Sequence, residues 1–323
     1  MLPLLEAADS LVNAAPSGNA LTDRGSIWRE PTDIKSLNLF YGAGGEKDQP
    51  HPPFTFVEED GNGTNPKYVV QDRDKVKWTV KLGNEAQPET AATRLLWAVG
   101  FYTDEDYFLP SIQVAGLPSH LKRGGDLVSS DGTMKGARLK RHISEGWKSA
   151  GWRWRSNLFD GTRALNGLKV MMALINNWDL KDENNKVYTP KDGKVPIYLV
   201  SDLGASFGST GLTLPFSHSK GYLDAYVSSS FITKVTAETV DFGTPGAPAL
   251  PYAFALPDYV RRLHLDTLLH DVPIADVRWM GRLLAGLSAD QIRDAFRAAG
   301  LPQDQIDGYT AEVQSRIAKL NSL

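Results

Sequence analysis

The sequence has no cysteine among its 323 residues, which removes disulfides, thiolate metal sites and cysteine nucleophiles together. Any chemistry must therefore run on oxygen, nitrogen or a metal held by them. Histidine is also sparse. Six occur, none spaced as His-x-x-x-His with an acidic partner, so zinc is not expected, and His264 and His270 read as surface or packing residues of a C-terminal helix. No strong charge excess is present: the net charge is -3 and the pI about 6.1. That gives no global basic field for a polyanion, and nucleic acid is not expected as a partner. Long apolar runs are missing too. The opening residues, MLPLLEAADSLVNAAP, have no basic start and too short an apolar stretch for a signal peptide or a membrane helix, so no membrane span is expected.

What is present is ordinary for a soluble globular chain: 41% hydrophobic and 23% charged residues. The length admits one large domain or two lobes sharing a cleft, with a sizeable core either way. Residues 1 to about 50 are punctuated by Pro16-Ser17-Gly18, Gly42 to Gly45 and Pro50 to Pro53 and read as an irregular N-terminal extension. A first lobe is expected over 51–143. It opens with strands at Phe54–Val57, Lys67–Val70 and Val76–Leu82, a glycine-bearing loop between the first two, and a helix from Glu85 to Val99 ending at Gly100. Further strands are expected at Ser111–Val114 and Ala137–Ile143. Ser144 to Gly151 reads as a connection, and a second lobe over 144–323 begins there. Leu165 to Asn176 is apolar on most sides, which predicts a buried helix. Short strands at Lys186–Tyr188 and Ile197–Val200 follow. Helices are then expected at Asp258–His270, Ile274–Leu287, Asp290–Ala299 and Asp304–Leu320, with Ser288 as a cap and Gly300-Leu301-Pro302 as a stop.

The sharpest chemical signal follows the buried helix: Asn177-Trp178-Asp179-Leu180-Lys181-Asp182-Glu183-Asn184. Phosphoryl transfer to a hydroxyl needs a carboxylate to orient the hydroxyl and accept its proton, a cation near the moving group, and a neutral oxygen ligand for magnesium. Asp-x-Lys-x-x-Asn supplies those three residue types. Alone, it reads equally as a polar loop closing a helix C-terminus. A strand then leads into Asp202-Leu203-Gly204, where an aspartate followed by a flexible glycine can turn its carboxylate to a divalent cation. Asp-x-Gly is common in turns, and its order after Asp179 to Asn184 is what gives it weight. Upstream, Val76, Trp78 and Val80 alternate, placing Lys77 and Lys81 on the other strand face. Glu89 lies near enough along the helix to pair with Lys81; an exposed lysine on an edge strand is the plain alternative. The loop Gly61-Asn62-Gly63-Thr64-Asn65-Pro66-Lys67 can bring backbone N–H groups to phosphate oxygens, and is equally an ordinary hairpin turn.

Taken in order, these features resemble the protein-kinase superfamily over roughly residues 54 to 208. Asp179 to Asn184 looks like its catalytic loop and Asp202-Leu203-Gly204 like its magnesium-binding motif. The resemblance implies an α+β, bilobal protein-kinase-like fold, with a small β-rich N-lobe and a mainly helical C-lobe. It implies Asp179 as catalytic base, Lys181 near the γ-phosphate, Asn184 and Asp202 as metal ligands, and Lys81 on the α- and β-phosphates with Glu89 as its partner. Gly61, Gly63, Thr64 and Lys67 would lie over the nucleotide. The implied cofactors are ATP and Mg2+, or Mn2+, and the implied partner is a hydroxyl-bearing protein, glycan or small molecule. Asn177-Trp178 stands where many protein kinases have His-Arg, the glycine loop lacks the full spacing, and no Ala-Pro-Glu segment follows Gly204. These departures argue against an ordinary eukaryotic-type kinase. The loop is similar to the Pro-Lys phosphate loop of HipA-like kinases, and the compact second lobe also suits the secreted Fam20-like or phosphoinositide-kinase branches; bacterial proteins of this general look often carry secretion signals, which tilts the expected location slightly to periplasmic or exported over cytoplasmic. A catalytically silent nucleotide-binding relative and an AMP transferase on the same fold are the alternatives.

Other features are assigned bland roles. The basic run Lys135 to His142 fits strand alternation toward a cleft. Trp147, Trp152 and Trp154 fit lobe packing. Ser206 to Ser219 holds the place of a substrate or activation loop.

Overall fold

The computed structural model describes residues 21–22, 24–61, 65–142, 147–192, 194–209, 216–243 and 267–323. Five strands close a small barrel: β3 Phe54–Asp60, β4 Lys67–Gln71, β5 Lys77–Lys81, β6 Asp106–Ala115 and β7 Thr133–Arg141, in the order β3-β4-β5-β7-β6. Strands β4 and β5 alternate, β7 shifts its period at Gly136 (φ 62°), and the inward residues Tyr68, Val70, Trp78, Val80, Met134 and Leu139 build a core of their own. The outward residues of β5, β6 and β7 are covered on one side by helix α1, Ala86–Ala98, which packs against β6 and β7. Strand, strand, strand, helix is the order the sequence predicts. The strand expected at Ser111–Val114 is longer, because Asp106 to Leu109 pair with β7 through Lys140 to Ala137.

The second part is mainly helical. Helix α2, Arg163–Leu174, starts at Thr162, whose hydroxyl accepts from the Leu165 N–H, and all its residues but Arg163 and Lys169 are buried. Around it pack α3 Leu223–Val227, α4 Ile274–Leu284, α5 Ala289–Ala298 and α6 Gln303–Asn321. Strands β9 Asn185–Pro190 and β10 Ile197–Val200 form an antiparallel pair running from Asn185↔Val200 to Tyr188↔Ile197. The protein is thus α+β and bilobal, a small β-rich lobe against a mainly helical one.

Several expectations are corrected. Ser144–Gly151 is not only a connection: Trp147–Ala150 is strand β8, paired with β9. The N-terminal 50 residues are not wholly irregular. Leu21–Thr22 (β1) and Gly25–Ser26 (β2) pair antiparallel, β2 runs parallel to β10, and the Trp28 indole donates to the Val99 carbonyl at 2.7 Å. Ile232–Val235, Thr239–Phe242 and Val272–Pro273 form a three-stranded sheet that the sequence pattern does not announce. Most of the helix expected at Asp258–His270 lies outside the described residues, and Thr267–Leu269 is a short 3-10 turn.

Candidate active site

Barrel register sets the first half of the site. Lys67 lies directly across from Lys81, and Lys81 directly across from Arg138. Three neighbouring strands therefore carry a row of cations on one face. Like charges placed opposite one another repel, and Lys81 and Arg138 are only 1% and 2% exposed, so the row is sustained only by compensating carboxylates. Helix α1 provides them. Lys81 Nζ donates to Glu89 Oε2 at 2.8 Å and to Glu85 Oε2 at 2.9 Å, while Arg138 Nη2 donates to the same Glu89 oxygen at 2.9 Å. The third donor of the Lys81 ammonium goes to Asp202 Oδ1. Burial opposes the Lys81 charge, yet Glu89, Asp202 and Glu85 hold its pKa well above the usual lysine range. Burial likewise opposes the Asp202 anion, and Lys81, Lys67 and Arg138 hold its carboxyl well below the usual carboxylate range.

The second half is built at the end of α2 and the β9–β10 pair. After Leu174 the chain leaves the helix through Asn176, at φ 53°, and runs alongside the segment following Asp202. The Trp178 N–H donates to the Ala205 carbonyl at 3.4 Å, the Phe207 N–H to the Ile175 carbonyl at 2.8 Å, and Asn177 Nδ2 to Ser206 Oγ at 3.1 Å. Asn177 Oδ1 accepts from the Asp179 N–H at 2.9 Å and turns the chain. This accounts for Asn177-Trp178 in physical terms: the asparagine braces the loop, and the tryptophan is 8% exposed with its indole N–H donating to the Ser219 carbonyl.

Within the loop, Lys181 Nζ lies 2.9 Å from Asp179 Oδ1, and Asn184 Nδ2 donates to the Asp179 carbonyl at 2.9 Å and to Oδ2 at 3.3 Å. With its nitrogen directed at Asp179, the Asn184 amide has its oxygen as the atom that could meet a cation. The Ser201 N–H donates to the Asn184 carbonyl at 2.9 Å, so Asn184 and Asp202 share one end of the β9–β10 pair. Asp202 adopts φ 59°, a left-handed conformation that costs a non-glycine residue about 1–3 kcal/mol and collects at functional sites. Its side chain keeps 37% exposure, so it is held by Lys81 and still open to solvent. A carboxylate and an amide oxygen, with a second carboxylate beside them, are hard donors that suit Mg2+ or Mn2+, and the row of cations suits phosphate oxygens.

The structure thus brings together Lys67, Lys81, Glu89 and Asp202, and separately Asp179, Lys181 and Asn184, the two sets meeting at Ser201-Asp202. Gly61 is exposed, with nothing within 4 Å of a Cβ placed there; Gly63 and Thr64 lie outside the described residues. Lys67 is pushed down in pKa by burial, with Asp202 opposing and Lys81 adding to the effect. Three participants escape the sequence reading: Glu85, Lys220 and Arg138. Lys220 Nζ stands 2.5 Å from Glu85 Oε1, and the two line part of a cavity of about 350 Å³ with Asn65, Pro66, Leu82 and Asn84. Glu85 was legible as four residues beyond Lys81, and Arg138 as the middle of the Lys135 to His142 run; Lys220 carries no local signal.

No protein-family model and no curated protein matches the sequence. Among solved structures the chain is similar to that of a Helicobacter pylori proinflammatory kinase, CtkA, at 8% identity and a TM-score of 0.46, over 83% of this chain and 95% of that one.

Proposed function

We propose that the protein is an ATP-dependent phosphotransferase that moves the γ-phosphoryl group to a hydroxyl of a protein, glycan or small molecule. The observation that carries this reading is the direct contact of Lys81, from the β-rich lobe, with Asp202, from the helical lobe, beside the hydrogen-bonded set Asp179, Lys181 and Asn184. Asp202 and the Asn184 oxygen would hold Mg2+, which when bound neutralises charge on the phosphates. Lys81 and Lys67 would bind phosphate oxygens, with Glu89 and Arg138 fixing the Lys81 side chain. Asp179 would orient the acceptor hydroxyl and take its proton, held in place by Asn177 and Asn184. Lys181 lies against Asp179 and would bring positive charge to the transferring group.

The test separates binding from chemistry. Asp202→Ala should abolish Mg2+-dependent binding of a non-hydrolysable ATP analogue. Asp179→Ala should retain binding and lower turnover of γ-labelled ATP by roughly 10²-fold or more. Unchanged turnover in both variants rejects the assignment, and transfer of AMP instead, read by mass spectrometry of the labelled product, redirects it.

A further inference from the structure

The Lys81 ammonium has three N–H donors, and Glu89, Glu85 and Asp202 occupy all of them. A phosphate oxygen can bind Lys81 only if one carboxylate withdraws. Glu89 is poorly placed to leave, being 1% exposed and shared with Arg138. Asp202 meets Lys81 through Oδ1 alone, so it can keep that contact while its second oxygen serves a cation. Glu85 differs, because each of its oxygens already holds a different lysine: Oε2 on Lys81 and Oε1 on Lys220. Lys220 in turn belongs to the segment that covers the catalytic loop. The Gly221 N–H donates to the Ser206 carbonyl at 2.9 Å, and the neighbouring Ser219 carbonyl accepts from the Trp178 indole.

We propose that Glu85 is a positioning residue that exchanges between two lysines, sharing Lys81 before a triphosphate binds and passing wholly to Lys220 when a phosphate oxygen takes its place. The inference rests on the phosphotransferase reading above. It makes Lys220 the cation that receives the displaced carboxylate, and it links occupation of the phosphate site to the segment 216–222 beside Asp179. A carboxylate left with no second cation would compete with phosphate for Lys81, so the two residues should act in opposite directions.

The experiment is a double-mutant cycle read by calorimetry, using inorganic tripolyphosphate with Mg2+ and, separately, a non-hydrolysable ATP analogue with Mg2+. Lys220→Met should weaken both ligands by about tenfold, about 1.4 kcal/mol. Glu85→Gln should bind them at least as tightly as wild type. The double variant, Glu85→Gln with Lys220→Met, should recover most of the lost affinity, a rescue that loss of packing alone does not give. Melting curves of all four proteins confirm folding. If the double variant binds more weakly than Lys220→Met, the exchange is overturned and Lys220 is itself a phosphate ligand. If wild type binds neither probe, the phosphotransferase reading falls and takes this one with it.

Discussion

Asp106 lies at 0% exposure beneath the cation row, its backbone carbonyl capped by the Arg94 guanidinium and one carboxyl oxygen 3.5 Å from Arg138. Arg138 lies closer to Glu89, so burial outweighs its attraction and, with Glu89 and Asp104 adding to it, pushes the Asp106 carboxyl up to about 7. The unfolded chain releases that proton near pH 4. Between about pH 4 and 7 the folded state therefore holds a proton the unfolded state has lost, and stability from this group declines as pH rises through the window. Asp106→Asn keeps the shape and removes the titration. Urea unfolding should show the variant gaining on wild type between pH 5 and pH 8, by an amount on the order of a few kcal/mol at most. Parallel pH profiles for the two proteins would show that Asp106 is ionised throughout.

At the scale of elements, the site depends on how closely the segment after Asp202 approaches the start of α1. A Cβ on Gly204 would stand 2.5 Å from the Glu85 Cβ and 3.1 Å from its carbonyl oxygen, so the requirement there is space. Gly204→Ala should force the two segments apart, costing about 1–3 kcal/mol and loosening Glu85 from Lys81. Gly61→Ala, where a Cβ meets nothing, serves as the control. A lowered melting temperature in the first and not the second is the expected pair of results; equal behaviour would mean the contact yields freely. The same element shows what the sequence discloses. Lys81, Glu89 and Asp202 were legible because each residue type had a chemical reason to stand on a strand end, a helix or a strand-to-turn junction. Glu85, four residues beyond Lys81, and Arg138, inside the Lys135 to His142 run, each carried a local signal, but the place of Arg138 beside Lys81 follows from barrel register; Lys220 carried none, since its contact with Glu85 follows from the return of residues 216–222. Strand β8, Trp-Lys-Ser-Ala, lacks alternation, and the outer strand Ile232–Val235 is mostly exposed, so periodicity could not find them.

For the whole molecule the question is whether the two lobes respond as one. Apart from Lys81 and Asp202, they meet where α1 packs on α5, where Gln87 Nε2 donates to the Gly300 carbonyl at 3.2 Å, and where Lys140 reaches Ser201 Oγ at 3.4 Å. The N-terminal segment adds a strap: Trp28 bonds the end of α1 at Val99 and packs its ring edge-on against Trp279 of α4, 5.1 Å between centroids. The packing of α1 on α5 and of Trp28 joins the major core across the division, with α1 residues such as Leu95 and Leu96 belonging to the same cluster as Trp28, Leu168 and Phe296. Such a core should melt cooperatively in spite of the bilobal shape. A ligand held between Lys81 and Asp202 at about a hundred times its Kd adds about 2.7 kcal/mol to the folded state, which for a chain of this length raises Tm by roughly 4–6 °C. Scanning calorimetry with Mg2+ and a non-hydrolysable ATP analogue should therefore move a single transition upward as a unit, and Lys81→Met should remove most of the shift. Two transitions, only one of them moved by the ligand, would place the binding energy in one lobe and contradict a site shared by both.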